Sequence, residues 1–161
     1  MDQFIKRRLC FLLECSLNES KRDQAVTFTM RVLSNYASVG RDAGSRKIKT
    51  LNPRMSVRAK KLLFTEGLNY FCANTVNEHP QPLNEMWLWL INSANSLTPM
   101  EVWENFQRHK MVTVTKAEDK LLSTMGMRSW GEGAERYVAA GITIVELNCT
   151  PAEWASKAGK Y

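Results

Sequence analysis

The sequence predicts an all-α fold: a single compact helical domain of about six to eight helices in two lobes, with at most one short β pairing. Three observations carry this. Helix-start chemistry recurs in Thr98-Pro99-x-Glu101, Thr115-x-x-Glu118 and Thr150-Pro151-x-Glu153. In each, the hydroxyl can accept an orphan backbone N–H, while the Glu three residues on accepts the N–H of the cap itself. Apolar residues then follow three-and-four spacing along most of the chain. Strand-prone runs are few, and the two that stand out, 111–114 and 142–145, are each other's only evident partners.

Taken in order, Asp2 caps a helix that carries Ile5, Leu9, Leu12, Leu13 and Cys15 and ends near Leu17. Asn18 or Ser20 is expected to cap a second, with Ala25, Val26, Thr29, Met30, Leu33, Tyr36 and Ala37 on its apolar face and Gly40 as its stop. The run 40–53 contains Gly44, Ser45, Asn52 and Pro53 without apolar periodicity and reads as a loop. A third helix is expected over 56–75, cationic at its head and apolar through Leu62, Leu63, Phe64, Leu68, Tyr70 and Phe71. Gly67 lies inside it at a cost of about 1 kcal/mol relative to Ala, a place for another helix to cross closely.

His79-Pro80-Gln81-Pro82 breaks the chain, because each Pro lacks a donor and pushes its predecessor out of the helical region. The lobes are therefore read as 1–78, basic, and 83–161, Trp-rich, within one domain over 1–161. Asn84 begins a short helix apolar on nearly every side, with Met86, Trp87, Leu88, Trp89, Leu90 and Ile91. Helices over 98–109, 115–125 and 150–158 follow from the three caps. Between the last two, 128–147 starts at Trp130, turns helical through Tyr137 and stops at Gly141.

Charge supplies the functional expectation. The stretch 41–61 holds Arg41, Arg46, Lys47, Lys49, Arg54, Arg58, Lys60 and Lys61 against one acid, Asp42; eight minus one leaves +7 in a chain whose whole is +6. The remainder sits near neutrality. So local an excess is the footprint of a polyanion site, since each cation that neutralises a phosphate releases condensed counterions. Lys6, Arg7 and Arg8 form a second cluster on the first turns of the first helix, where cations oppose the helix dipole. Lys116 and Lys120, interleaved with Glu118 and Asp119, read as background charge.

The expected function is non-enzymatic nucleic-acid binding through these eleven residues, directed at the phosphate backbone with little sequence selectivity. RNA is favoured over DNA, because a basic loop beside exposed aromatics suits single strands, and an oligomer coating or packaging RNA fits the size and charge. The alternative is a helical protein–protein interaction module or adaptor, anchored by a Trp-rich apolar surface at 87–91 or at Trp103 and Phe106; the same surface could join copies into a homo-oligomer.

Other classes are disfavoured. Two histidines, His79 and His109, and four scattered cysteines make no zinc spacing and no nucleophile motif, so neither metal, cofactor nor catalytic residue is expected. Gly131 and Gly133 lack the spacing of a dinucleotide loop. The first 17 residues are interrupted by Lys6, Arg7, Arg8 and Glu14, unlike a secretory or membrane segment. With free thiols at Cys10, Cys15, Cys72 and Cys149, the expected setting is cytoplasmic or nuclear, neither secreted nor membrane-bound.

Overall fold

A side chain of the preceding residue fixes six of the helix starts. Asp2, Asp23, Ser56, Thr98, Thr115 and Thr150 each accept a backbone N–H two or three residues on. All three expected capping boxes form, two of them with Pro at the first helical turn. The start of the second helix moves to Asp23, whose carboxylate accepts the Val26 N–H at 2.8 Å. A computed structural model describes residues 1–18, 21–126 and 135–161, so Ser20, Trp130, Gly131 and Gly133 lie outside the described residues.

In chain order the elements are α1 (Gln3–Leu17), α2 (Gln24–Val39), α3 (Ser45–Leu51), β1 (Arg54–Ser56), α4 (Val57–Glu66), α5 (Leu68–Asn74), β2 (Thr75–Glu78), α6 (Leu83–Ser93), α7 (Pro99–Arg108), β3 (Val112–Thr115), α8 (Lys116–Thr124), α9 (Glu135–Ala139), β4 (Ile144–Glu146) and α10 (Pro151–Ala158). They fall into two compact units, each drawing on chain from both sides of the 79–82 turn: Met1–Asp42 with Gln81–Lys110, and Ala43–Pro80 with Met111–Tyr161.

The first unit is helical. α1 packs against α2, α6 and α7, and α2 also packs against α7. Ile5, Leu9, Leu12 and Leu13 meet Met30, Leu33, Trp87, Leu90, Val102 and Phe106 in one core. Each fully buried side chain of this size contributes about 1.5–3 kcal/mol, so this apolar stripe is what holds α1 in place.

The second unit contradicts the all-α expectation. It contains a four-stranded mixed sheet in the order β2-β3-β1-β4. β1 runs parallel to β3, with Met55 opposite Thr113, and antiparallel to β4; β2 and β3 are antiparallel, with Val76 opposite Val114. The two strand-prone runs do become strands, yet β1 lies between them and they do not pair with each other. Strands of three or four residues are too short to display a period of two. β3 is buried at all four positions, Val112, Thr113, Val114 and Thr115, as a strand covered on both faces must be.

Two helix boundaries also differ from expectation. The run 40–53 contains α3, seven residues with Ile48 buried, which is too short to show periodicity. The expected third helix is α4 and α5, broken at Gly67, where φ is +83°. The break frees the Leu68 N–H to bond the Lys160 carbonyl at 3.1 Å, and a Cβ on Gly67 would stand 3.3 Å from that same oxygen. The close neighbour is thus the chain at Lys160 rather than a crossing helix, and only glycine tolerates this backbone without strain. Among the described residues no helix is long and apolar enough to cross a membrane.

Candidate nucleic-acid interface

The site is built where two strands hand over directly to helices. β1 ends in Ser56, which caps α4 by accepting the Ala59 N–H at 3.0 Å; β3 ends in Thr115, which caps α8 by accepting the Glu118 N–H at 3.2 Å. Because β1 and β3 are parallel neighbours, both helices leave the sheet at the same end, the C-terminal end of the two strands. A buried carboxylate joins the two starts. Glu118 Oε2 accepts from the Thr115 N–H at 2.8 Å, the Thr115 hydroxyl at 2.8 Å and the Ser56 hydroxyl at 2.6 Å.

The same chemistry is written twice in the sequence. Ser56-x4-Lys61-Leu62-Leu63-x-Thr65-x-Gly67 recurs as Thr115-x4-Lys120-Leu121-Leu122-x-Thr124-x-Gly126. Each copy has a hydroxyl cap, a second Leu that is fully buried (Leu63 and Leu122) and a closing glycine at positive φ, +83° and +71°. The repeat spans the cap and the helix of each pair and none of the strand residues before the cap, so it marks the two helices as related and leaves the strands unmarked.

Beside the two helix starts lies a groove of about 620 Å³. Arg58, Lys61 and Thr65 reach it from one stripe of α4, Tyr70 and Asn74 from α5, and Thr115, Lys116 and Ala117 from the head of α8. The α4 residues share a face because they are three and four positions apart. Among the described residues Glu66 is the one acid in the lining. Among the described residues neither Arg58, Lys61 nor Lys116 forms an ion pair, and all three are exposed. Tyr70 stands with half its surface exposed, and the Asn74 amide donates to the Tyr70 carbonyl at 3.0 Å, which leaves Asn74 Oδ1 as an acceptor.

The sequence-derived cations are dispersed more widely than their spacing suggested. Arg58 and Lys61 line the groove. Arg46 is exposed and donates to Asn69 Oδ1 at 2.7 Å, and Lys47 is exposed on the same short helix α3. Arg54 Nε lies 3.9 Å from Glu146 across the β1–β4 pair. Lys60 is half-buried, its ammonium 5.4 Å from the Phe64 ring. Lys49 is buried: its ammonium donates to the carbonyls of Cys72 at 2.7 Å and Thr75 at 2.5 Å, at the C-terminal end of α5. Burial draws its pKa below the ordinary lysine value. Arg41, Lys6, Arg7 and Arg8 belong to the helical unit, where Arg8 lies 3.8 Å over the Phe4 ring and the other three are exposed.

Lys116, Tyr70 and Asn74 line the groove without being marked by the charge count along the sequence. Lys116 looked like background because Glu118 and Asp119 follow it, but Glu118 spends its carboxylate inside the fold. Tyr70 reads in the sequence as part of an apolar helix face. The Trp segment is mainly internal: Trp87 and Leu90 are buried in the helical core with Phe106, Trp89 and Trp103 are half-buried against it, and Leu88 is exposed.

A second polar cluster stands apart from the groove's lining. Arg136, fully buried, pairs with Glu78 at 2.7 Å, and the Tyr137 hydroxyl donates to the other oxygen of the same carboxylate. Burial pushes the Tyr137 pKa far above the ordinary tyrosine value. Together they fasten α9 to β2. Among the described residues no three His, Cys, Asp or Glu side chains are grouped to hold a metal ion. Compared with protein-family models, with curated proteins and with solved structures, the chain gives no match.

Proposed function

We propose that the chain is a non-enzymatic nucleic-acid-binding protein that takes RNA along its phosphate backbone with little sequence selectivity. The observation that supports this best is the groove. Among the described residues, three cations without an ion pair, Arg58, Lys61 and Lys116, converge there from two helices against a single acid, Glu66. Cations held in a concave, partly apolar wall attract polyanions more strongly than the same charges scattered over a convex surface. The Thr65 hydroxyl and the Asn74 amide add hydrogen-bonding capacity without the paired donor and acceptor pattern that reads a particular base.

RNA is the favoured ligand because Asn74 Oδ1 can accept from a ribose 2′-hydroxyl, a group DNA lacks. Arg46 and Lys47, exposed on α3 of the same unit, extend the basic surface. The protein-module reading is less well supported, since its Trp87 and Phe106 anchors are consumed by a core.

Anisotropy titrations with labelled single-stranded RNA, single-stranded DNA and duplex DNA at two salt concentrations test the proposal. RNA should bind most tightly, and its affinity should fall steeply as salt rises. Absence of binding to all three at low salt, or an affinity indifferent to salt, would overturn it.

A further inference from the structure

Resting on the nucleic-acid reading above, we infer that the groove selects unpaired strands, with Tyr70 as the platform on which one base stacks while Arg58, Lys61 and Lys116 hold the adjoining phosphates. Tyr70 is 49% exposed and lies in the same lining as the three cations. An aromatic ring left half in water beside three cations without ion pairs has the composition of a single-strand site, in which the charges track the backbone and the ring takes a base face.

The position of Tyr70 follows from the break at Gly67. Positive φ there ends α4 and starts α5, so residues 58, 61 and 65 of one helix and 70 and 74 of the next line a common wall. The groove's volume of about 620 Å³ lies within the range of small-ligand sites, about 300–1,000 Å³. That is room for a nucleotide or two. A duplex brings phosphates of the same charge, but its bases are paired and stacked on one another and present no free face to the ring.

The test uses the full chain and short RNA strands. Wild-type protein is titrated with a single strand, with the same strand carrying abasic residues, and with the corresponding duplex; Tyr70→Ala and Tyr70→Phe are titrated likewise. Loss of one stacked base should weaken binding about tenfold. The abasic strand should therefore bind wild-type protein about tenfold more weakly than the intact strand. Tyr70→Ala should lose the same factor for the intact strand only, and Tyr70→Phe should lose little. Duplex affinity and the salt slope should be unchanged in both variants. Equal affinity for intact and abasic strands, or an equal loss for strand and duplex in Tyr70→Ala, would overturn the stacking role while leaving phosphate binding in place. Wild-type protein that binds none of the three ligands would remove the nucleic-acid reading itself.

Discussion

The Ser56 hydroxyl donates to Glu118 Oε2 at 2.6 Å while accepting the Ala59 N–H at 3.0 Å, so one buried side chain caps α4 and ties its head to that of α8. The groove inherits its geometry from this link, because Arg58 and Lys61 follow Ser56 by two and five residues and Lys116 follows Thr115.

Ser56→Ala should therefore cost more than an ordinary cap. Loss of the cap contributes about 1 kcal/mol, and loss of a hydrogen bond to a buried carboxylate about 1.5–3 kcal/mol more. Thr150→Ala removes an exposed capping box from the same unit and should cost only about 1 kcal/mol. Urea unfolding of the two variants checks the difference. Equal losses would mean that the Ser56–Glu118 bond adds nothing to stability.

Lys49→Ala should destabilise the protein by about 2–4 kcal/mol, since it strips two carbonyls at the end of α5 of a charged donor and leaves a cavity. Lys49→Met keeps the length of the stem and should cost less than the alanine variant. Lys47→Ala, two residues away and exposed, should stay within about 0.5 kcal/mol. Denaturant midpoints measure all three, and a neutral Lys49→Ala would show that the ammonium is not anchored.

Glu153 predicts a piece of the acid-side stability profile. Hydrogen bonds from the Thr150 backbone N–H and then its hydroxyl hold the Glu153 pKa below the ordinary glutamate value. The unfolded chain takes up this proton first as pH falls, so the contribution is complete above the ordinary value and is lost as pH drops through the lowered, folded one. Glu153→Gln should flatten the stability curve in that interval. A curve parallel to the wild type there would contradict the assignment.

The helix starts at Thr98, Thr115 and Thr150 were legible in the sequence because a capping box is complete within four residues. The sheet was not. β1 contributes three residues and pairs with β3 across nearly 60 positions of chain, so no local window contains both partners. Gly67 could be read only as a costly residue within a helix, since the carbonyl that requires it belongs to Lys160. The site was half legible for a related reason. Counting charge along the chain finds Arg58 and Lys61, but it also includes Lys49, which folding buries, and omits Lys116, whose acidic neighbour Glu118 is turned inward.

The most direct measurement is the salt dependence of single-stranded RNA binding by the triple variant Arg58→Ala, Lys61→Ala, Lys116→Ala. All three side chains are exposed and without ion pairs among the described residues, so the fold should persist, as circular dichroism can verify. If each neutralises one phosphate, the slope of log affinity against log salt should fall by roughly 0.7 per residue, about 2 in all. Lys120→Ala, on α8 but not in the groove's lining, should leave the slope as it is. A wild-type slope in the triple variant, or an equal fall in Lys120→Ala, would contradict the assignment of the groove as the phosphate site.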